Sequence, residues 1–355
     1  MVLVTGSMRS GTSSLAGSLK LLGWHVPQPE VPASERNAKG HFEPRWVIEF
    51  HKRLLRAALV RPSDGSPRAA DRVEALLEDG RSERELADWL AQQEQERIVV
   101  KDPHAAWVLP LWRRAAEATG RDLRILTALR HPAEVVGSQD RTWGEGRRTD
   151  AERKVKETSN TAAWLNVALV TEEGSRGAAR AFIRYDDLLA DWRSALQRVS
   201  DQLDLALPLD EERGLDEFLD PGMRRSQLTW DDISVPDWLR KSAENTWHHL
   251  GVLVEDPLDP GLPSVIDAER ELYDAHYAEA VAVSLDEARH RERRGSANGA
   301  AKLRGRLRAE RARRQEAEAR LAAAEGDDGA GQSTKRLLGQ IVRRSRSGNR
   351  DATNS

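Results

Sequence analysis

MVLVTGSMRSGTSSLAGSLKLLG, residues 1–23, decides the fold class. The apolar run MVLVT reads as a short buried strand. GSMRSG then forms a turn, and from Thr12 apolar side chains recur at helical spacing to Leu22, where Gly23 stops the helix. Gly6 and Gly11 enclose four residues, the GxxxxG skeleton of a loop whose backbone N–H groups cradle a phosphate at a helix N-terminus. A nucleotide triphosphatase carries Lys directly after the second glycine. Thr12 stands there instead, and the cation comes earlier, as Arg9, which speaks against ATP or GTP hydrolysis.

Strand signals return at 97–100, 123–129 and 181–185, with helical stretches between them. That alternation predicts an α/β fold, a three-layer parallel sheet covered by helices, with the phosphate-binding turn after its first strand. Residues 26–46 hold four prolines and a glycine, too many for a regular element, so a long loop is expected beside the carboxyl edge of the sheet. Residues 189–203 read as one amphipathic helix, and a weaker helical pattern covers about 267–294. The segment 300–325 is dense in Ala, Arg and Glu, with Leu303, Leu307, Ala317, Leu321 and Ala324 on a rough heptad seam that Glu310 and Arg314 interrupt. The expected organisation is a domain at 1–290, a charged helix and coiled-coil candidate at 291–325, and a disordered basic tail at 326–355.

Composition narrows the partners. The 355 residues include no cysteine, which excludes disulfides and thiolate chemistry. The longest apolar run, Ala105 to Leu109, falls far short of the roughly 20 residues that span a bilayer, and the N-terminus lacks the pattern of a signal peptide. The expectation is a cytoplasmic protein. Net charge is −3, but residues 289–355 carry 18 Lys/Arg against 8 Asp/Glu, a balance of +10 that leaves −13 on residues 1–288. An acidic body speaks against a nucleic-acid partner. In KRLLGQIVRR, residues 335–344, an apolar patch bracketed by cations suits weak peripheral contact with the inner face of a membrane; the preceding helix suits pairing with another helix. Nine His residues show no metal-ligand spacing, so no metal is expected.

A second phosphate-binding feature lies in LRHPAEVVGS, 129–138: a strand ends near Arg130, Pro132 opens a helix, and Ser138 sits about two turns inside it. An Arg fork with a hydroxyl suits an anion separate from the one at the glycine loop. With RSGTS at 9–13, this resembles the sulfotransferases that use 3'-phosphoadenosine 5'-phosphosulfate (PAPS), and GHFEP (40–44), VVKDP (99–103), YDDLLADW (185–192) and FLDPGMRR (218–225) extend the resemblance over roughly residues 1–225. The resemblance implies that Arg9, Ser10, Gly11, Thr12 and Ser13 bind the 5'-phosphosulfate and that Arg130 and Ser138 bind the 3'-phosphate. The C-terminal RKGxxGxWK element of the cytosolic enzymes is absent, with Arg224 and Arg225 as its substitutes.

Sulfuryl transfer needs cations over the sulfonate and a base for the acceptor proton. Arg9 and Lys101 fit the first role. For the base the resemblance implies Glu43, with His104 as the rival and His41 and Asp102 nearby. The implied reaction is sulfonate transfer from PAPS, leaving 3'-phosphoadenosine 5'-phosphate, to a hydroxyl of a glycan, glycolipid or small metabolite. Two alternatives are a small-molecule or nucleotide kinase, which requires the missing loop Lys, and a non-catalytic nucleotide-binding scaffold, which has no use for two phosphate elements plus Lys101.

Overall fold

Successive side chains of a strand point to opposite faces, and this alternation layers the molecule. In β1 (Val2–Gly6), Leu3 enters an apolar cluster with Ile98, Val100 and Ile125, while Val2 and Val4 enter another with Leu126, Ala128, Ala181 and Ile183. The partners lie on β2 (Val99–Lys101), β3 (Arg124–Leu129) and β4 (Ala179–Arg184), or, for Ile98, just before β2. The computed structural model describes residues 1–34, 37–143, 149–211, 213–220, 222 and 228–327. Among them one four-stranded sheet runs in the order β2-β1-β3-β4, every pair parallel. A sheet buried on both faces explains why these strands read as continuous apolar runs.

One face is covered by α1 (Thr12–Leu21), α8 (Tyr185–Ala190) and α9 (Trp192–Leu203), the other by α2 (Arg45–Ala57), α3 (Arg68–Leu77), α4 (Arg81–Ala91) and α5 (Leu109–Ala118). A third cluster joins α6 (Pro132–Trp143), α7 (Asp150–Ser175), α11 (Asp237–Val252) and the first turns of α12 (Leu262–Asp327) to Leu129 and Phe182 of the sheet. This is the three-layer parallel α/β architecture expected. A four-residue helix, α10 (Leu215–Phe218), lies against α1.

Two helices differ from expectation. The single helix read at 189–203 is two, because Asp191 leaves helical geometry (φ −149°) and its carboxylate accepts the Ser194 N–H at 3.1 Å, capping α9. Conversely, the stretches near 267–294 and 300–325 are one helix, since Gly295 and Gly299 each cost only about 1 kcal/mol against surrounding Ala, Arg and Glu. Two compact units divide the chain, Met1–Glu279 and Ala280–Ser355, and the sheet lies in the first. Among the described residues no helix is long and apolar enough to cross a membrane. The KRLLGQIVRR segment lies outside the described residues.

The strand order positions the site. From β1 the chain moves to one neighbour, β2, and returns past it to β3 on the other side. Loops leaving β1 and β3 therefore diverge and open a crevice at the carboxyl edge, the place where open parallel sheets bind ligands.

Candidate functional site

The glycine loop is held open by contacts that exclude side chains. A Cβ on Gly6, whose φ is +134°, would lie 2.5 Å from the Ala128 carbonyl oxygen of the neighbouring strand. On Gly11, with φ +95°, it would strike the Tyr185 ring at 2.2 Å. Ser10 tightens the turn by donating its backbone N–H and its hydroxyl to the Ser7 carbonyl, at 3.1 and 2.6 Å. Gly11 caps α1 without a side-chain partner, and no acidic residue occupies the first turn. The N–H groups from Thr12 onward therefore face the crevice as a ready site for an anion.

Arg9 has φ +74°, a left-handed conformation that costs a non-glycine residue roughly 1–2 kcal/mol. Among the contacts that hold it, Arg130 Nη1 donates to the Arg9 carbonyl at 3.2 Å, and Arg9 Nε donates to Ser138 Oγ at 3.1 Å. Arg130 is itself oriented by the Glu134 carboxylate, 2.9 Å from its Nε, and by the Tyr185 ring, whose centroid lies 5.0 Å from its guanidinium carbon. Arg130, Glu134 and Ser138 are all buried. The structure thus gathers Arg9, Arg130 and Ser138 at one place, Arg130 directly after β3 and Ser138 on α6. Tyr185 backs the whole assembly. Burial raises the pKa of its hydroxyl, which is hydrogen-bonded with Ser14, while Arg130 opposes that rise.

The second group gathers around the end of β2. Lys101, 3% exposed, donates to Ser13 Oγ at 3.1 Å and forms an ion pair with Glu43. Glu43 arrives on the long loop before α2, which is pinned by Val31 N–H to the Glu43 carbonyl at 2.8 Å and Arg45 N–H to the Pro29 carbonyl at 2.9 Å. Asn37 bridges that loop to α1 through Ser13 Oγ at 3.2 Å. Next along the chain, Asp102 accepts the His104 backbone N–H at 2.9 Å and its ring Nδ1–H at 2.6 Å. Burial works against charge on His104, but the Asp102 carboxylate and its hydrogen bond outweigh it, with help from Glu43, and raise the pKa above 6.5. His41 moves the other way: burial lowers its pKa, Glu43 opposes, and Lys101 and Arg9 add to the fall.

Several participants were given no role from the sequence: Ser14, Asn37, Glu134 and Tyr185. Ser14, Glu134 and Tyr185 all lay inside quoted stretches. Of the tryptophans, Trp24, Trp107, Trp112 and Trp164 are core, and Trp46 stacks on Trp89 and Phe50. Arg224 and Arg225 lie outside the described residues.

With this geometry in view, comparison with known proteins gives one extensive match. A model of the sulfotransferase family matches residues 2–209, more than half of the chain. No curated protein matches it. Similar solved structures include the sulfotransferase domain from the Synechococcus PCC 7002 olefin synthase, 16% identical, covering 71% of this chain and 94% of that one with a TM-score of 0.43. Another is the sulfotransferase domain from the curacin biosynthetic pathway, also 16% identical, covering 71% and 97% with a TM-score of 0.37.

Proposed function

The chain belongs to the sulfotransferase family, and from that premise we propose that it transfers the sulfonate of PAPS to a hydroxyl acceptor, leaving 3'-phosphoadenosine 5'-phosphate. The observation that carries this reading is the meeting of two anion-binding devices in one crevice. Backbone N–H groups follow Gly11 on one side, and Arg130 with Ser138 stands on the other. An adenosine bisphosphate has a phosphate for each. ATP, with its anions strung from one end, has a partner for only one, and Thr12 leaves the loop without the Lys that a triphosphate requires.

Within this reading Ser10 to Ser13 hold the 5'-phosphosulfate by backbone and hydroxyl, Arg130 and Ser138 hold the 3'-phosphate, and Arg9 spans toward both. Lys101, beside Ser13, supplies the charge that offsets negative charge on the bridging oxygen. The acceptor oxygen forms its bond to sulfur as the bond to the 5'-phosphate breaks, and the phosphate leaves with the electron pair. The acceptor proton needs a base. Glu43 has the right chemistry, but its carboxylate is engaged by Lys101. His104 has its Nδ1–H committed to Asp102, which leaves Nε2 to accept a proton, and the Asp102 carboxylate strengthens the hold of the ring on it. We therefore assign the proton to His104 and give Glu43 the placement of Lys101.

Calorimetry tests the donor site. Wild-type protein is expected to bind adenosine 3',5'-bisphosphate at least about tenfold more tightly than ATP, a preference of about 1.4 kcal/mol. Tighter ATP binding would remove the assignment and restore a kinase.

A further inference from the structure

We infer that a buried chain, Trp112 to His51 to Asp102, is the positioning device that fixes the tautomer and direction of the His104 ring. The inference rests on the proposed role of His104 as proton acceptor, and its geometry comes from three separate elements: Trp112 on α5, His51 on α2, and Asp102 directly after β2.

The chain of donors can be followed without ambiguity. An indole N–H only donates. Trp112 Nε1 lies 2.9 Å from His51 Nε2, so that nitrogen must carry the lone pair and the ring proton must sit on Nδ1. His51 Nδ1 lies 2.7 Å from Asp102 Oδ2 and therefore donates to it. The other carboxylate oxygen, Oδ1, takes both donors of His104, its backbone N–H and its ring Nδ1–H. Three donors on one carboxylate hold the Asp102 pKa well below the usual range, although burial alone would raise it. His104 is thereby left with Nε2 as its one free lone pair. Glu43 and Lys52 are the other charged groups that act on this ring.

A structural role alone does not account for this arrangement. Asp102 caps the short 3-10 helix Pro103–Val108 through a single oxygen bound to one backbone N–H. That task needs no imidazole on either side. His51, Asp102 and Trp112 are each fully buried, and a buried carboxylate costs several kcal/mol unless every lone pair finds a donor. The fold has committed an indole and a second histidine to meeting that cost, at a residue adjacent to Lys101 and two before His104. The same logic orders catalytic histidines elsewhere: a carboxylate on one ring nitrogen fixes which tautomer the other presents.

The experiment uses the full chain and reads the His104 ring directly, by the ¹⁵N shifts and pH titration of its imidazole, alongside PAPS hydrolysis with water as the acceptor. Three variants are compared. His51→Asn keeps an N–H donor near the position of Nδ1, His51→Leu removes it, and Asp102→Asn removes the carboxylate charge. Wild type should show the Nδ1–H tautomer at His104 and a pKa above 6.5. Asp102→Asn should lower that pKa, mix the tautomers and cut turnover about 100-fold with adenosine 3',5'-bisphosphate affinity unchanged. His51→Leu should mix the tautomers and cut turnover about tenfold, and His51→Asn should restore most of both. Should Asp102→Asn fail to fold, the two His51 variants carry the test by themselves. Unchanged His104 tautomer and turnover in His51→Leu would overturn the positioning chain while leaving the donor site intact. Loss of the tautomer in a protein that releases no sulfonate from PAPS would support the chain and overturn the proposed function instead.

Discussion

The two halves of the crevice are built on different principles. One half, Gly6 to Ser13 with Arg130 and Ser138, depends largely on backbone: strand ends, glycines that admit no Cβ, and the first turns of α1 and α6, with a guanidinium and a hydroxyl added. The other half, Lys101 to His104 with Glu43, depends on side chains delivered by a loop, a strand end and, behind them, two helices. Backbone geometry binds an anion almost independently of pH. A side-chain network binds and moves protons. The crevice therefore pairs a fixed clamp with a titratable wall, and substitutions in each should fail in different ways.

The largest separation is expected at His104. His104→Gln should lower sulfonate-transfer turnover on the order of 10² to 10⁴-fold, the range for losing a general base, with adenosine 3',5'-bisphosphate affinity within about twofold of wild type. Glu43→Gln should cost about tenfold, because Lys101 loses its ion-pair partner but the base remains. Parallel steady-state kinetics and calorimetry decide it. If Glu43→Gln is the dead variant and His104→Gln keeps more than about a tenth of wild-type turnover, the proton goes to Glu43, as the family resemblance implied, and the two roles exchange.

How much of this could be read from residues alone follows the same division. GSMRSGTS and R-x₇-S are contiguous or nearly so, and their chemistry is tied to strand and helix ends that hydrophobic periodicity reveals. The sheet, the helix after Gly11 and the loop bearing Glu43 were legible for that reason. The wall was legible only in its members. Lys101, Asp102 and His104 stand together in VVKDPH, but nothing in the sequence says that His51 and Trp112, 51 and 10 residues from Asp102, close on it. Each looks like an ordinary core residue on an amphipathic helix, and only packing turns those core positions into a hydrogen-bonded chain. Glu134 was hidden differently: four residues after Arg130 on a helix start, it reads as a favourable N-terminal charge, whereas the fold buries it against the guanidinium.

That burial gives the second test, on the clamp. Arg9→Ala and Arg130→Ala should each weaken adenosine 3',5'-bisphosphate binding by about 1.5–3 kcal/mol, the range for charged hydrogen bonds. They should differ in stability. Arg9 is half-buried, so its removal relieves left-handed strain only if glycine replaces it, and Ala should leave Tm almost unchanged. Removing Arg130 strips Glu134, 4% exposed, of a guanidinium partner and should cost about 1–3 kcal/mol. Thermal unfolding and calorimetry on the same samples separate the effects. Equal Tm values for the two variants would mean that Arg130 is not the clamp's structural anchor, and that clamp and wall share their support.

The smallest effect sharpens the contrast most, because His104 couples the stability of the wall to protons. The raised pKa of His104 means that the folded state holds its proton more tightly than the unfolded chain. Its contribution is fully present below the unfolded pKa of 6.5 and is lost as pH rises through the higher folded value. His41, His131 and His249 act oppositely. Burial lowers all three, so their effect is a loss of stability as pH falls below 6.5. Wild-type Tm alone blends the two trends, but the difference between wild type and His104→Gln isolates one. That difference should be larger at pH 6 than at pH 8.5. Ser138→Ala, an uncharged change in the clamp, should show no such dependence. A Tm difference for His104→Gln that stays flat across the range, or grows toward high pH, would mean that Asp102 does not hold the His104 proton and that the wall is as insensitive to pH as the clamp.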